Sequence, residues 1–249
     1  MPSIESLLHR RTDLSTFVVH FTRETADGGA IDNLKAILED RAIEARNVFG
    51  MATALAKSYK AIADSQRTVC FTETPLEHAW MMCEQIPGRT MRFDGYGLAF
   101  TRTFARRRGA NPVWYLDITP GHDWLTTPVN NLVDQVREIA KDPSEGGVDA
   151  AAAADVLRLT PFIEQMGNPV GTRKEFWWER EWRHVGDFHF HPRDLVVVFA
   201  PEEDHDELED HLAELLQRGR RPHLVDARWG LERMIAALTD VDEPGPFPS

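Results

Sequence analysis

Nine consecutive positions constrain this chain more than any others. Glu175-Phe176-Trp177-Trp178-Glu179-Arg180-Glu181-Trp182-Arg183 hold three of its seven tryptophans and five charges. Read as an extended strand from Trp178 onward, the stretch puts Trp178, Arg180 and Trp182 on one side and Glu179, Glu181 and Arg183 on the other. Buried carboxylates are costly unless paired, so such a strand is an odd thing to build for stability alone. A carboxylate held on a rigid strand beside aromatic walls is a common way to place a catalytic or ligand-gripping group. The stretch predicts a pocket without naming its ligand. If Glu181 is partly buried there, Arg183 or Arg46 is the candidate partner for its charge.

The 249 residues suffice for one large domain or a domain with an appended subdomain. No apolar run approaches the ~20 residues of a membrane span. The opening Met1-Pro2-Ser3-Ile4-Glu5 has neither the basic nor the apolar region of a signal peptide. The expectation is a cytoplasmic protein that does not enter a membrane. Cys70 and Cys83 are too far apart for a redox CxxC pair and too few for a thiolate zinc site. A net charge of -12 argues against broad electrostatic binding to nucleic acid. The best local basic patch is Arg102, Arg106, Arg107 and Arg108, for which a solvated helix end or turn is the favoured reading.

Phe17-Val18-Val19-His20-Phe21-Thr22 is β-branched and aromatic and predicts a strand within 14–22. Asp32 is placed to cap a helix carrying Leu34, Ile37 and Leu38. A short strand is expected over 41–46, and the alanine-rich 51–64 reads as a helix or a mobile loop. Residues 68–72 read as a strand stopped by Pro75, and 76–85 as a helix. Strands are expected at 97–101 and 112–117, joined by an arginine-rich turn ending at Gly109. Helical patterns cover 126–141 and 149–166, the second broken or kinked at Thr160-Pro161. Residues 193–200 form a near-continuous apolar strand, expected to be buried on both faces. A helix over 202–218, a strand over 222–226 and a helix over 229–238 complete a βαβα tail that can form a crossover unit. Glu243–Ser249 should fray. The expectation is a single α/β domain with a core over 14–192 and a βαβα extension over 193–240.

Several residues stand out chemically, each with a bland reading beside it. A strand histidine such as His20 can hold a ribose hydroxyl or move a proton, or can be one hydrogen-bonded histidine among ten. Glu73 lies just past a strand end, where sites gather. Alternatively it belongs to a helix start in which Thr74 and Glu77 make a capping box. His184, His189 and His191 lie near Asp187, and His189 and His191 share a strand face at metal-compatible spacing, but exposed polar positions of an alternating strand look the same. No metal site is assigned. No Gly-x-Gly-x-x-Gly after a strand, P-loop, Gly-x-Ser-x-Gly or His-Glu-x-x-His occurs, which disfavours dinucleotide dehydrogenases, P-loop NTPases, serine hydrolases and zincins.

Read in order, several segments resemble a known pattern. Val18-Val19-His20-Phe21-Thr22, then Asn33-Leu34-Lys35-Ala36-Ile37-Leu38, is similar to the "HFT … NL..IL" opening of small ADP-ribosyltransferase-like defence proteins. Val69-Cys70-Phe71-Thr72-Glu73-Thr74-Pro75-Leu76 resembles their "CFTE.PL" segment. Gly95-Tyr96-Gly97-Leu98-Ala99-Phe100, then Asn111-Pro112-Val113-Trp114-Tyr115, resembles "YG..F … NPV.Y", and Glu179-Arg180-Glu181-Trp182-Arg183 resembles "E.EWR". Together they resemble the AbiGi family of abortive phage-resistance proteins. The resemblance implies an α+β, ADP-ribosyltransferase-like fold with split, bent sheets around a cleft. It implies NAD as co-substrate and His20, Tyr96 and Glu181 as catalytic residues. His20 would hold the adenosine ribose, Tyr96 would stack on nicotinamide, and Glu181 would bond the nicotinamide ribose 2′-hydroxyl. Thr22, Glu73, Trp182 and Arg183 would join His20 and Tyr96 in holding the cofactor.

Proteins of this type have also been labelled antitoxin components. Two classes of function therefore stay open. One is a NAD-consuming transferase or glycohydrolase that acts in phage defence on a protein or nucleic-acid acceptor. The other is a non-catalytic antitoxin, or a component that binds a cognate partner or a nucleotide.

Overall fold

Strand β1 (Phe17–Phe21) forms where the β-branched and aromatic run predicts it, with Val18 and Val19 buried. The computed structural model describes residues 11–26, 28–86, 89, 91–168, 174–216 and 221–241. Helix α1 (Ala30–Asp40) buries Leu34 and Leu38. Asp32 is not its N-cap. Gly29 is, and the Asp32 carboxylate reaches back from the first turn to accept the Gly29 N–H at 3.0 Å. Of the short strand expected over 41–46 only β2 (Ala42–Ile43) forms, and a second short strand, β3 (Asn47–Val48), follows just beyond it. The alanine-rich segment is helical in two pieces, α2 (Thr53–Ala56) and α3 (Lys60–Gln66). Strand β4 (Arg67–Thr72) follows. The helix expected next shrinks to a 3-10 turn and α4 (Trp80–Cys83).

Strand β5 (Gly97–Thr101) runs directly into α5 (Arg102–Arg107), so the arginine-rich connection is helical rather than a turn. β6 (Asn111–Pro112) and β7 (Trp114–Asp117) share the next extended segment. Helices α6 (Asp123–Lys141), α7 (Gly147–Ala152) and α8 (Asp155–Leu159) come next. The helical pattern of 149–166 ends at Thr160-Pro161, where the break was expected, because Pro161 lacks the N–H a continuing helix needs. A 3-10 turn there leads into β8 (Ile163–Met166), which pairs in parallel with β7.

The tryptophan-rich stretch is not one strand. Trp177–Glu179 form a 3-10 turn, and Arg180 has φ +48°, which redirects the chain before β9 (Glu181–Val185). The expected alternation therefore holds only from Glu181, with Glu181 and Arg183 on one side and buried Trp182 on the other. β10 (Phe188–His189), β11 (Leu195–Phe199), α9 (His205–Leu215), β12 (His223–Val225) and α10 (Leu231–Leu238) complete the chain. The end of the helix expected to reach Arg218 and the tail expected to fray lie outside the described residues. The protein is mixed α+β, as expected. Among the described residues no helix is long and apolar enough to cross a membrane.

By internal packing the chain divides into two units: residues 1–42, 71–105 and 189–249, and residues 43–70 and 106–188. Residues 67–70 of β4 belong to the second unit and 71–72 to the first. The first unit holds the strand order β12-β11-β5-β1-β4. β1 and β5 are antiparallel, with His20 opposite Leu98 and Phe21 opposite Gly97. β11 is antiparallel to β5 and parallel to β12, so α9 is the crossover helix and the βαβα tail is hydrogen-bonded into this sheet. Four of the five β11 residues are buried and Val196 is partly so, close to the two-face burial its apolar sequence predicts. The second unit holds β3-β4-β9-β6 and the β7-β8 pair. Its helical core is built on Leu55, Ile62, Val136, Ala151 and Leu157.

Candidate functional site

In the first unit, half-buried His20 lies in β1 with its ring edge toward Phe71, centroids 5.9 Å apart. Thr22 follows the strand and is buried. Its N–H donates to the Tyr96 carbonyl at 2.8 Å and its hydroxyl to the Ala30 carbonyl at 3.0 Å. The His20–Thr22 and Gly95–Gly97 segments are thus brought together. Their close approach needs Gly97, because a Cβ there would sit 2.7 Å from the His20 carbonyl oxygen. Asn33 of α1 fastens the loop after β1, its side-chain amide donating to the Arg23 carbonyl at 2.8 Å and to the Thr25 hydroxyl at 3.2 Å.

The Tyr96 hydroxyl donates to the Asp204 carboxylate. Burial, then Asp204, pushes the phenol above its usual range, so it stays a protonated donor. Glu73 is buried and accepts from Arg102 Nη1 at 2.8 Å. The capping-box alternative for this segment fails: the 3-10 turn has Pro75 as N-cap with no side-chain bond, and the Thr74 hydroxyl pairs with that of Thr72 at 2.7 Å.

In the second unit Glu181 opens β9. Its N–H donates to the Tyr115 hydroxyl at 2.9 Å. Its partner is Arg183, not Arg46, whose nearby acid is Glu44 at 2.8 Å. Arg183 Nε and Nη2 donate to the two Glu181 oxygens at 2.9 and 2.8 Å. Nη2 also donates to Glu164 at 2.7 Å and Nη1 to the Pro161 carbonyl at 2.7 Å. The guanidinium lies over the Phe49 ring at 5.2 Å. Arg183 is only 2% exposed, so its donors are spent inside the protein. Burial, the largest single influence, would lower its pKa, but its anionic neighbours, Glu181 foremost and Glu164 with it, together drive the value up. Burial would raise Glu164, but Arg183 and Lys174 together hold it below its ordinary value. The Cys70 thiol is pushed well up by burial and next by Glu181, which leaves it protonated and a poor nucleophile. This is an acid–base network that fixes one carboxylate at a strand start.

Glu181 therefore belongs to one unit and His20 and Tyr96 to the other, and neither unit by itself holds all three. Of the expected cofactor contacts, Thr22, Glu73, Trp182 and Arg183 are buried. The histidine group has lost the strand that aligned it: β10 ends at His189, and a 3-10 turn begins at Pro192. The His184 ring nitrogens lie 2.9 Å from the Gly186 and Arg108 carbonyls, and Asp187 accepts the Ala45 N–H. Among the described residues no three His, Cys, Asp or Glu side chains are grouped to hold a metal. Sequence reasoning missed Glu164 and Asp204. The first lay just past the break at Thr160-Pro161, where no strand was read, and the second in an acidic run with nothing to single it out.

A family model described as "Putative abortive phage resistance protein AbiGi, antitoxin" matches residues 38–212. The match spans more than half of the chain, which belongs to the AbiGi family. It includes the segments around Glu73, Tyr96 and Glu181 and leaves His20 outside. No curated protein sequence matches. Among solved structures, Thermus sp. 2.9 DarT in complex with NAD+ is similar at a TM-score of 0.38 and 12% identity, covering 86% of this chain and 97% of that one.

Proposed function

We propose that this AbiGi-family chain is a phage-defence protein with an ADP-ribosyltransferase-like fold that consumes NAD. It would transfer ADP-ribose to a protein or nucleic-acid acceptor or to water. The observation that carries the NAD reading is the 2.8 Å bond from Thr22 N–H to the Tyr96 carbonyl, which joins two motifs that the sequence separates. In this reading His20 and Tyr96 hold the dinucleotide, with Thr22 and Glu73 shaping the strand ends beneath them. Glu181 is the carboxylate of the chemistry. Loss of nicotinamide leaves an oxocarbenium-like ribose, and a carboxylate already fixed needs no reorganisation to stabilise it. Arg183 fixes the carboxylate, Tyr115 holds the Glu181 backbone N–H, and Trp182 supplies packing beside them.

A second reading is a non-catalytic antitoxin that binds a cognate toxin. One observation favours it: the Tyr96 hydroxyl and both Glu181 oxygens already have internal partners. Nicotinamide release by the wild type, His20→Ala and Glu181→Gln separates the two. The NAD-consuming reading expects Glu181→Gln to stay folded, with a melting temperature lowered by the weakened pairing to Arg183, and to lose about 100–1,000-fold in rate under conditions where it is folded. His20→Ala should weaken the NAD-induced rise in melting temperature. Equal release by wild type and Glu181→Gln removes Glu181 from the chemistry. No release and no NAD-induced shift in the wild type would turn the assignment to the antitoxin.

A further inference from the structure

A cavity of about 310 Å³ opens in the second unit, lined by none of the residues assigned to NAD. Leu157, Phe162 and Val185 form its apolar wall, and Ser65, Arg158 and His184 supply polar groups. The His184 ring is locked, since each nitrogen faces a carbonyl oxygen at 2.9 Å. It therefore offers a ligand a flat surface rather than a hydrogen bond. Arg158 is the opposite case. Its side chain is 82% exposed, and its nearest acid, Asp155, stands 4.0 Å away and 98% exposed. A solvent-exposed pair at that distance contributes little, so the guanidinium is available to an incoming anion.

The charge around the cavity differs from that of the whole chain. The second unit has 14 Lys and Arg against 15 Asp and Glu, a net of -1, so the first carries the remaining -11 of the total -12. Gly109, on the cavity lining, directly follows exposed Arg106, Arg107 and Arg108. The pull of a helix C-terminus on cations accounts for arginines at the ends of α5 and α8. It does not account for an open apolar-walled cavity beside them.

We infer that this cavity binds a mononucleotide-sized ligand, with a flat ring against Phe162, Leu157 and the His184 face and a phosphate on Arg158. The volume lies at the low end of small-molecule sites, ~300–1,000 Å³, which suits one nucleotide and is tight for a dinucleotide such as NAD. The inference does not depend on the NAD reading.

The test is calorimetric titration of the full chain with AMP, adenosine and inorganic phosphate separately. AMP should bind about tenfold tighter than either fragment. Arg158→Glu should weaken AMP about tenfold or more and leave adenosine nearly unchanged. Val185→Trp fills the cavity from its exposed rim and should weaken both. Either cavity variant should retain the NAD-induced melting shift if the wild type has one. Three results would overturn the inference: no AMP binding to the wild type, phosphate binding as tightly as AMP, or AMP affinity untouched by both cavity variants but lost in His20→Ala.

Discussion

Replacing Arg183 by methionine should expose how much the second unit depends on its charged network. The substitution keeps a long unbranched side chain and removes the group that joins Glu181, Glu164 and the Pro161 carbonyl. Arg183 is 2% exposed, Glu164 13% and Glu181 18%, so solvent screens these charges weakly. Removing one partner of a buried pair typically costs ~3–5 kcal/mol, because the remaining charge is left without compensation. Glu164 keeps Lys174, so Glu181 bears most of the loss. For a chain of this size the effect corresponds to a melting point lower by roughly 6–20 °C.

The pH dependence has a definite sign. Glu164 sits below its ordinary value of 4.5 in the folded protein, so its paired charge contributes stability that is complete above that value. The contribution is lost as pH falls through the folded-state pKa. In Arg183→Met, the burial of Glu164 acts with less opposition, so acid neutralises its carboxylate more readily. The gap between wild type and variant should be widest near pH 7.5 and narrow toward pH 4.5. Urea unfolding across that range, followed by tryptophan fluorescence, measures it. Adding Glu164→Gln and Glu181→Gln to Arg183→Met should recover much of the loss, because no buried charge is then left alone. A loss below about 1 kcal/mol at pH 7.5, or a gap that widens in acid, would refute the reasoning.

Three further substitutions probe other parts of the argument. Gln66→Ala should destabilise by about 2–4 kcal/mol in chemical denaturation. Fully buried Gln66 donates to the Leu157 carbonyl at 2.8 Å and accepts the Thr160 hydroxyl at 2.6 Å, so Ala removes two buried bonds and leaves a cavity, while the Thr160 hydroxyl and the Leu157 carbonyl keep their bond to each other at 3.1 Å. Gly50→Ala should cost about 3 kcal/mol or more on the same assay. Gly50 has φ +87°, and a Cβ would meet the Thr160 carbonyl oxygen at 2.1 Å. Tyr96→Phe should cost only about 1–2 kcal/mol, the worth of the bond to Asp204 at a half-exposed position. It keeps the ring, so an unchanged NAD-induced melting shift would assign binding to the aromatic face, and a lost shift to the hydroxyl.

What the sequence determined by itself was local. The β-branched runs at 17–21, 67–72 and 195–199 became strands because side chains that crowd a helix fit a pleated sheet, and the β11-α9-β12 crossover followed from its pattern. The Glu181–Arg183 pairing was legible because residues two apart on a strand share a face. The tertiary structure decided what depended on partners distant in the chain. Arg180 at φ +48° cut the tryptophan strand short, which period-two counting cannot detect. Ile163–Met166 became a strand beside β7 and delivered Glu164 to Arg183 from 19 residues away. Asp204 reached Tyr96 across 108 residues. Periodicity records the face on which a residue lies, whereas the charge or hydrogen bond that a buried group finds there is set by segments that only the folded chain brings together.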